Sequence, residues 1–347
     1  MMKRICIGNR IVDEESRPFI IAEAGVNHEN NMKLAKRLID EAVLGKADAI
    51  KFQTYKADKI AASDSPTYWD ASVTQREYFE KYDKFGEDEY RELAKYANKK
   101  GIFFLSTPFD FEAVDLLDKL VPVFKISSSD ITNIPFIRYI AKKGKPIFLS
   151  TGASTIGEIE DAVRAIEAEG NSDIVLLHCI LSYPTRYEDA NLNMIKHIQN
   201  AFPNYSVGLS DHTKPDENMM ILTTAVIFGA KVIEKHFTYD KSLIGNDHYH
   251  AMDYRDLITL NNNIDLLEAI SGEKIKRPIE CEMRARNYAR RSIVANVNIS
   301  KGMKIKSDML TYKRPGTGIS PKYLDIVLNR KARKDIKKDD LIKWSDV

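Results

Sequence analysis

Eight short runs rich in β-branched and aromatic residues recur between Phe19 and Phe237, and most of the stretches between them repeat apolar residues at helical spacing. The runs are FIIAEAG from Phe19, DAIKFQT from Asp48, IFFLST from Ile102, PVFKIS from Pro122, PIFLST from Pro146, DIVLLHC from Asp173, SVGLSD from Ser206 and KVIEKHF from Lys231. Segments such as MKLAKRLIDEAVL, EYRELAKYANKK, EIEDAVRAIEAEG and ENMMILTTAVIFGA lie between them, several followed by a glycine suited to a helix C-cap. Alternation of this kind builds parallel βα units, and eight units close a cylinder. The expected fold is therefore α/β, a (β/α)8 TIM barrel over residues 1–275. An open doubly wound sheet is the alternative, but no GxGxxG follows the first strand.

A polar linker over 276–288 precedes a change of pattern, and residues 289–347 read as a small, mostly β domain of short strands and turns. Within it ISKGMKIK, from Ile299, echoes IKKDDLIK, from Ile336, which predicts internal pseudo-symmetry. The 347 residues suit two such domains at about 150 residues each as a prior. Lys and Arg number 52 against 50 Asp and Glu, so the net charge of +2 gives no broad reason to expect nucleic acid or a membrane, and any anion must be recognised locally. Cys6, Cys179 and Cys281 are too scattered for a disulfide framework or a structural zinc site. The N-terminus lacks the apolar core of a signal peptide and no run reaches membrane-spanning length, so a cytoplasmic protein is expected. The connection over 55–82, with Tyr68, Trp69, Tyr78 and Phe79, is long and aromatic, which suits a lid or a partner contact.

A parallel barrel carries its chemistry at the C-terminal ends of its strands, and here nearly every run ends in polar residues. Glu23 and Asn27 close the first, Lys51 and Gln53 the second, Thr107 the third, Lys125 and Ser128 the fourth and Thr151 the fifth. His178, the pair Ser210 and His212, and the pair Glu234 and His236 close the rest. Residues two apart share a strand face, so Lys51 goes with Gln53, Ser210 with His212 and Glu234 with His236. His212 and His236, on neighbouring strands, could hold one divalent ion such as Mn²⁺, Zn²⁺ or Mg²⁺ and leave positions open for substrate; otherwise they are hydrogen-bonded core histidines. Lys51 and Lys125 need anionic partners if they point inward. With Thr107, Ser128 and Ser210 around them, a phosphate-plus-carboxylate ligand fits, and ion pairing with Glu23, Asp130 or Glu234 is the structural alternative. Glu23 could serve as a general acid or base. In the loop GNDHYH, Asp247 suits a polar-substrate contact, whereas His248 and His250 are expected to be exposed or to act behind other ligands.

The chain resembles the sialic acid synthase family, which includes the legionaminic and pseudaminic acid synthases. The likeness spans nearly the whole sequence and rests on IIAEAGVNH, IKFQTY, FLSTPFD, KISSSD, LSTGAS, LLHCILSYPT, VGLSDHT, VIEKHFT and YKRPGTG in family order. It implies an enzyme that condenses phosphoenolpyruvate with an open-chain N-acetylated amino sugar and water, giving an N-acetylneuraminate-type acid and phosphate. It implies a C-terminal antifreeze-like (SAF) domain and a domain-swapped homodimer in which that domain caps the partner's mouth. The family pattern puts a divalent metal, Mn²⁺ first and Mg²⁺ or Co²⁺ next, on His212 and His236. It puts phosphoenolpyruvate on Lys51, Thr107, Lys125, Ser128 and Ser210, and the catalytic carboxylate at Glu23. Sugar contacts match at Gln53, Asp130, Tyr183, Asp247, Tyr288 and Arg314.

Two positions depart from the pattern. SSSD stands where GSGE is commoner, so Asp130 replaces a longer Glu, and Leu181 takes a place where Asn or Thr is often found beside phosphoenolpyruvate. N-acetylmannosamine is the first expectation for the sugar, with diacetamido-trideoxy hexoses as the alternative. A Schiff-base pyruvate aldolase working through Lys125 is the rival enzyme, and a non-catalytic, ligand-binding tail on a scaffold barrel is the rival outside enzymology.

Overall fold

The computed structural model describes residues 3–67 and 73–347, so Tyr68 and Trp69 of the expected lid lie outside the described residues. The chain separates into two compact units, Met1–Ser271 and Gly272–Val347. No helix among the described residues is long and apolar enough to cross a membrane.

In the first unit an antiparallel hairpin of β1 (Ile5–Ile7) and β2 (Arg10–Val12) comes first. Eight parallel strands follow: β3 (Phe19–Gly25), β4 (Ala49–Thr54), β5 (Phe103–Pro108), β6 (Phe124–Ile126), β7 (Ile147–Ser150), β8 (Ile174–Cys179), β9 (Ser206–Asp211) and β10 (Val232–His236). Their order in the sheet is β5-β4-β3-β10-β9-β8-β7-β6, and the two end strands lie side by side, so the sheet curls into a nearly closed barrel. All eight expected strands are present, each buried along nearly its whole length, as a barrel sandwiched between its own core and a ring of helices requires. The fourth is shorter than its run suggests, because the chain turns into a 3-10 helix at Ser128–Asp130 and lifts Ser128 and Asp130 off the sheet.

Local signals agree with these elements. Asn31 accepts from the backbone N–H groups of Lys33 and Leu34 to start the helix Met32–Leu44, which buries Ala35, Leu38, Ile39 and Ala42 against the barrel. Thr155 and Glu158 form a capping box on the helix Ile156–Glu167. The hairpin lies toward the N-terminal end of the strands, where Arg10 reaches Asp48 at 3.0 Å just before β4. The other end is thereby left for chemistry. Among the described residues of the 55–82 connection are the helices Ala57–Ile60 and Gln75–Glu80 and a Tyr55–Phe79 ring contact at 5.4 Å, so it is more than a plain loop.

The second unit pairs β11 (Ser292–Ala295) with β12 (Leu310–Lys313) around a small core that includes Ile293, Ile299, Ile305, Ile319, Val327, Ile336 and Ile342. The echo read in the sequence is structural. Ile299 and Ile336 exchange backbone hydrogen bonds of 2.9 Å each way. The 37-residue spacing then repeats in reciprocal contacts: Gly302 N–H donates to Ala332 O and Asp339 N–H to Ala295 O, while Lys301 N–H donates to Asp335 and Lys338 N–H to Asn298. Even the 3-10 turns match, Ser307–Met309 with Trp344–Asp346.

Candidate active site at the strand mouth

At the C-terminal ends of the barrel strands, Glu23, Lys51, Gln53, Thr107, Lys125, Ser128, Ser150, Cys179, Ser210, His212, Glu234 and His236 line one concave mouth, with Phe109, Leu181 and Tyr183 at its rim. Two local devices aim these groups. The β3–β4 register shifts between Glu23 and Gly25, and Gly25 turns at φ +53°, a conformation that favours glycine. Gly152 gives its N–H to Ser128 Oγ at 2.9 Å, and a Cβ there would sit 2.9 Å from that oxygen and 3.1 Å from Cys179 Sγ, so the strand-to-loop passage needs a bare backbone.

The charged centre is buried. Glu23, Lys51, Lys125 and Glu234 are each at most 5% exposed. Lys51 Nζ lies 2.5 Å from Glu23 Oε2, donates to Thr107 Oγ1 at 2.9 Å and is 3.7 Å from Glu234 Oε1. Lys125 Nζ is also 3.7 Å from Glu234 Oε1, and Ser210 Oγ donates to that same oxygen at 3.0 Å. Both lysines therefore stand on one side of the mouth and share Glu234, the internal partner that the sequence alternative required. The two carboxyls are driven apart. Burial, reinforced by Glu234, raises Glu23 against the pull of Lys51. Burial also acts to raise Glu234, but Lys125 and Lys51 outweigh it and lower its pKa. One carboxyl that tends to hold a proton beside one that sheds it is the pattern of an acid–base site. Burial pushes the Lys125 ammonium down as well. Glu234 Oε2 and Ser150 Oγ are buried without hydrogen-bond partners, which a polar ligand would supply.

Beside this centre the His212 and His236 rings stand 5.4 Å apart, centre to centre. His212 Nδ1 lies 2.7 Å from Ile180 O, so Nδ1 carries the proton and Nε2 keeps its lone pair for a ligand. His236 Nδ1 is 3.2 Å from Asp247 Oδ2. Burial disfavours charge on His236, but Asp247 and Glu23 prevail and raise its pKa; Asp247, despite burial, is held well below the usual carboxylate range by His236 and His250. Tyr183 packs on His212 at 4.1 Å between ring centres.

Of the expected site residues, Glu23, Lys51, Gln53, Thr107, Lys125, Ser128, Tyr183, Ser210, His212 and His236 line this mouth, and Asp247 joins it through His236. Asp130 does not line it: on the 3-10 turn its carboxyl accepts from Asn133 instead. Tyr288 and Arg314 are exposed on the second unit. The expectation of an exposed His248 and His250 is half overturned, because both rings are completely buried. The loop folds inward, with Asp247 N–H donating to Asn27, His248 against Thr238 and Glu29, and Asn246 accepting from Tyr78. Ser150 and Cys179 were missed, since a small polar residue inside an apolar strand carries no signal of its own. Glu234 was legible, placed by parity with His236 and as an ion-pair partner for the lysines, and it takes that place here.

The NeuB family model matches residues 38–276 and the SAF domain model residues 290–347. An uncharacterised protein of Methanocaldococcus jannaschii is 46% identical over 351 residues, covering 100% of this chain and 99% of its own length. The N,N'-diacetyllegionaminic acid synthase of Campylobacter jejuni is 39% identical over 335 residues, 94% of this chain and 99% of that one. The crystal structure of N-acetylneuraminic acid (sialic acid) synthetase from Leptospira borgpetersenii, in complex with citrate, aligns with a TM-score of 0.73 and 34% identity over 82% of this chain and 95% of its own.

Proposed function

The chain belongs to the NeuB family, and on that premise we propose that it is a nonulosonic acid synthase joining phosphoenolpyruvate to an open-chain N-acetylated amino sugar. The observation that carries this reading is the buried convergence of Lys51 and Lys125 on one carboxylate, Glu234, with Glu23 and the hydroxyls of Thr107, Ser128, Ser150 and Ser210 around them. Two ammonium groups and hydroxyls suit the phosphate and carboxylate of phosphoenolpyruvate. In the reaction the enol carbon attacks the sugar aldehyde, forming the carbon–carbon bond, and water adds to the resulting oxocarbenium carbon. The tetrahedral intermediate then expels phosphate. Glu23, whose raised pKa keeps a proton at hand, hands it to the aldehyde oxygen and afterwards takes one from the water. Lys51 and Lys125 stay against the anionic groups throughout.

His212 and His236 would hold a divalent ion, Mn²⁺ first, with Mg²⁺ or Co²⁺ as alternatives; the fit is the free Nε2 of His212 beside His236. Such an ion supplies Lewis-acid polarisation of the aldehyde oxygen. Gln53, Tyr183 and Asp247 face the sugar. Asp130 would need its turn to open to reach it. Tyr288 and Arg314 serve from a partner chain in a cytoplasmic, domain-swapped homodimer. A diacetamido-trideoxy hexose is the favoured acceptor, because identity to the legionaminic acid synthase, 39%, exceeds the 34% to the sialic acid enzyme; N-acetylmannosamine is the second reading.

The test is phosphate release from phosphoenolpyruvate with Mn²⁺ and each sugar in turn. Release that needs both sugar and metal is expected. Covalent trapping of Lys125 by pyruvate and borohydride, without phosphate release, would give the aldolase reading instead.

A further inference from the structure

The loop GNDHYH brings a second set of donors to His236. His236, Asp247 and His250 each offer one ligand atom, and these atoms all lie within 4.8 Å of one another. His236 Nδ1 is 3.2 Å from Asp247 Oδ2, and His250 Nε2 is 3.8 Å from Asp247 Oδ1. The rings of His236 and His250 stand 5.0 Å apart.

His250 is the independent observation. Its ring is 0% exposed, and neither Nδ1 nor Nε2 has a hydrogen-bond partner. A completely buried imidazole with both nitrogens unmatched is costly unless a ligand meets it. Two imidazoles and one carboxylate are a set that divalent transition metals accept with positions to spare. A purely orienting role for Asp247, fixing the proton of His236, would account for one carboxylate oxygen but would leave His250 unexplained.

We infer that His236, Asp247 and His250 form a divalent-cation seat of their own, which holds Mn²⁺ without help from His212. This deepens the proposed function, since it rests on the reading that a divalent ion serves this mouth. The loop that carries Asp247 and His250 is tied to the 55–82 connection through Tyr78 and Asn246, so two of the three donors come from a loop and only His236 from a strand end.

The experiment is titration of the full-length chain with Mn²⁺ alone, with free ion followed by its electron paramagnetic resonance signal and heat by calorimetry. The wild-type chain should bind, and His212→Ala should still bind one equivalent. Adding His250→Ala, or Asp247→Asn, to His212→Ala should weaken that binding about tenfold to a hundredfold. If His250→Ala perturbs folding, as far-UV circular dichroism would reveal, His250→Gln and Asp247→Asn give the same comparison. A His212→Ala chain that is folded and binds no Mn²⁺, or a double variant that binds as tightly as the single one, overturns the inference and leaves the metal reading of the mouth standing. A wild-type chain that binds no Mn²⁺ overturns both.

Discussion

The two compact units use charge in opposite ways. Met1–Ser271 buries Glu23, Lys51, Lys125, Asp211, Glu234, Lys235 and four of its histidines beyond the His212–His236 pair, whereas Gly272–Val347 buries only Ser292 and Asp346 among its described polar side chains. Buried charge works against stability unless it is paired or meets a ligand, so the first unit's cost marks where selection acted on chemistry. The second unit spends its sequence on a repeated scaffold and leaves its charges in water apart from Asp346, which pairs with Lys334 at 2.9 Å. If that contrast is right, substitutions in the first unit should separate activity from stability, and those in the second should not.

The largest effect should come from Lys125→Met. Losing one of the two ammonium groups that face the phosphate and carboxylate should lower kcat/KM for phosphoenolpyruvate by about a thousandfold. Burial holds the Lys125 pKa down, which means that folding disfavours its charge. Replacing it with an apolar chain of similar length should therefore raise the thermal midpoint while activity falls. A variant that keeps its turnover would break the comparison at its strongest point.

Asp211 and Lys235 supply a buried pair with no place in the mouth. Lys235 Nζ donates to Asp211 Oδ2 at 2.6 Å and to Thr213 O at 2.5 Å, and Thr213 Oγ1 donates to the same carboxylate at 2.8 Å. Asp211→Asn should cost about 3–5 kcal/mol at neutral pH, because it leaves Lys235 buried without its counter-charge. Burial acts to raise the Asp211 pKa, but Lys235 and Thr213 outweigh it, and the folded-state value lies below the ordinary one. A carboxyl lowered in this way adds stability above its unfolded pKa of about 3.9 and loses it as pH falls through the folded value. Denaturant unfolding should thus show the gap between wild type and variant shrinking below about pH 4. A gap independent of pH would mean that the pair contributes shape and not charge.

Most of the barrel and the strand-borne part of its mouth were legible, because both follow from short-range pattern. Strand parity is a covalent property of the extended chain, so Lys51 with Gln53, and Ser210 with His212, could be placed on one face without a structure. The fourth strand shows the limit: Pro122–Ser127 reads as one run, yet Ser128–Asp130 winds into a 3-10 turn and takes Asp130 away from the mouth. His250 shows another. Its burial depends on the 245–250 loop folding onto Asn27 and Glu29, contacts made across some 220 residues of chain that no local window contains. The repeat in the second unit was visible because matched apolar offsets survive even where the turn residues have changed.

In the second unit, Ile336→Ala should cost about 2–4 kcal/mol through lost burial and a residual cavity, since Ile336 is only 2% exposed and bridges the two copies of the repeat. Limited proteolysis of the full chain should then cut faster within 272–347 while 3–271 keeps its resistance. Equal sensitisation of both units would show that their stabilities are one quantity.

The smallest effect sharpens the comparison most finely. Asp339 sits at φ +78°, and its counterpart one repeat earlier is Gly302 at φ +83°. The two copies thus demand the same left-handed turn, and only one has the residue that adopts it without crowding its Cβ. What Asp339 offers in exchange is an exposed ion pair with Lys313, of a kind that contributes little in water. Asp339→Gly relieves the turn and gives up that pair, while the freer unfolded chain takes back part of the gain. The second unit should therefore melt roughly 1–2 °C higher by calorimetry. A lower midpoint would mean that the Lys313 pair outweighs the backbone, and that surface charge holds this unit together after all.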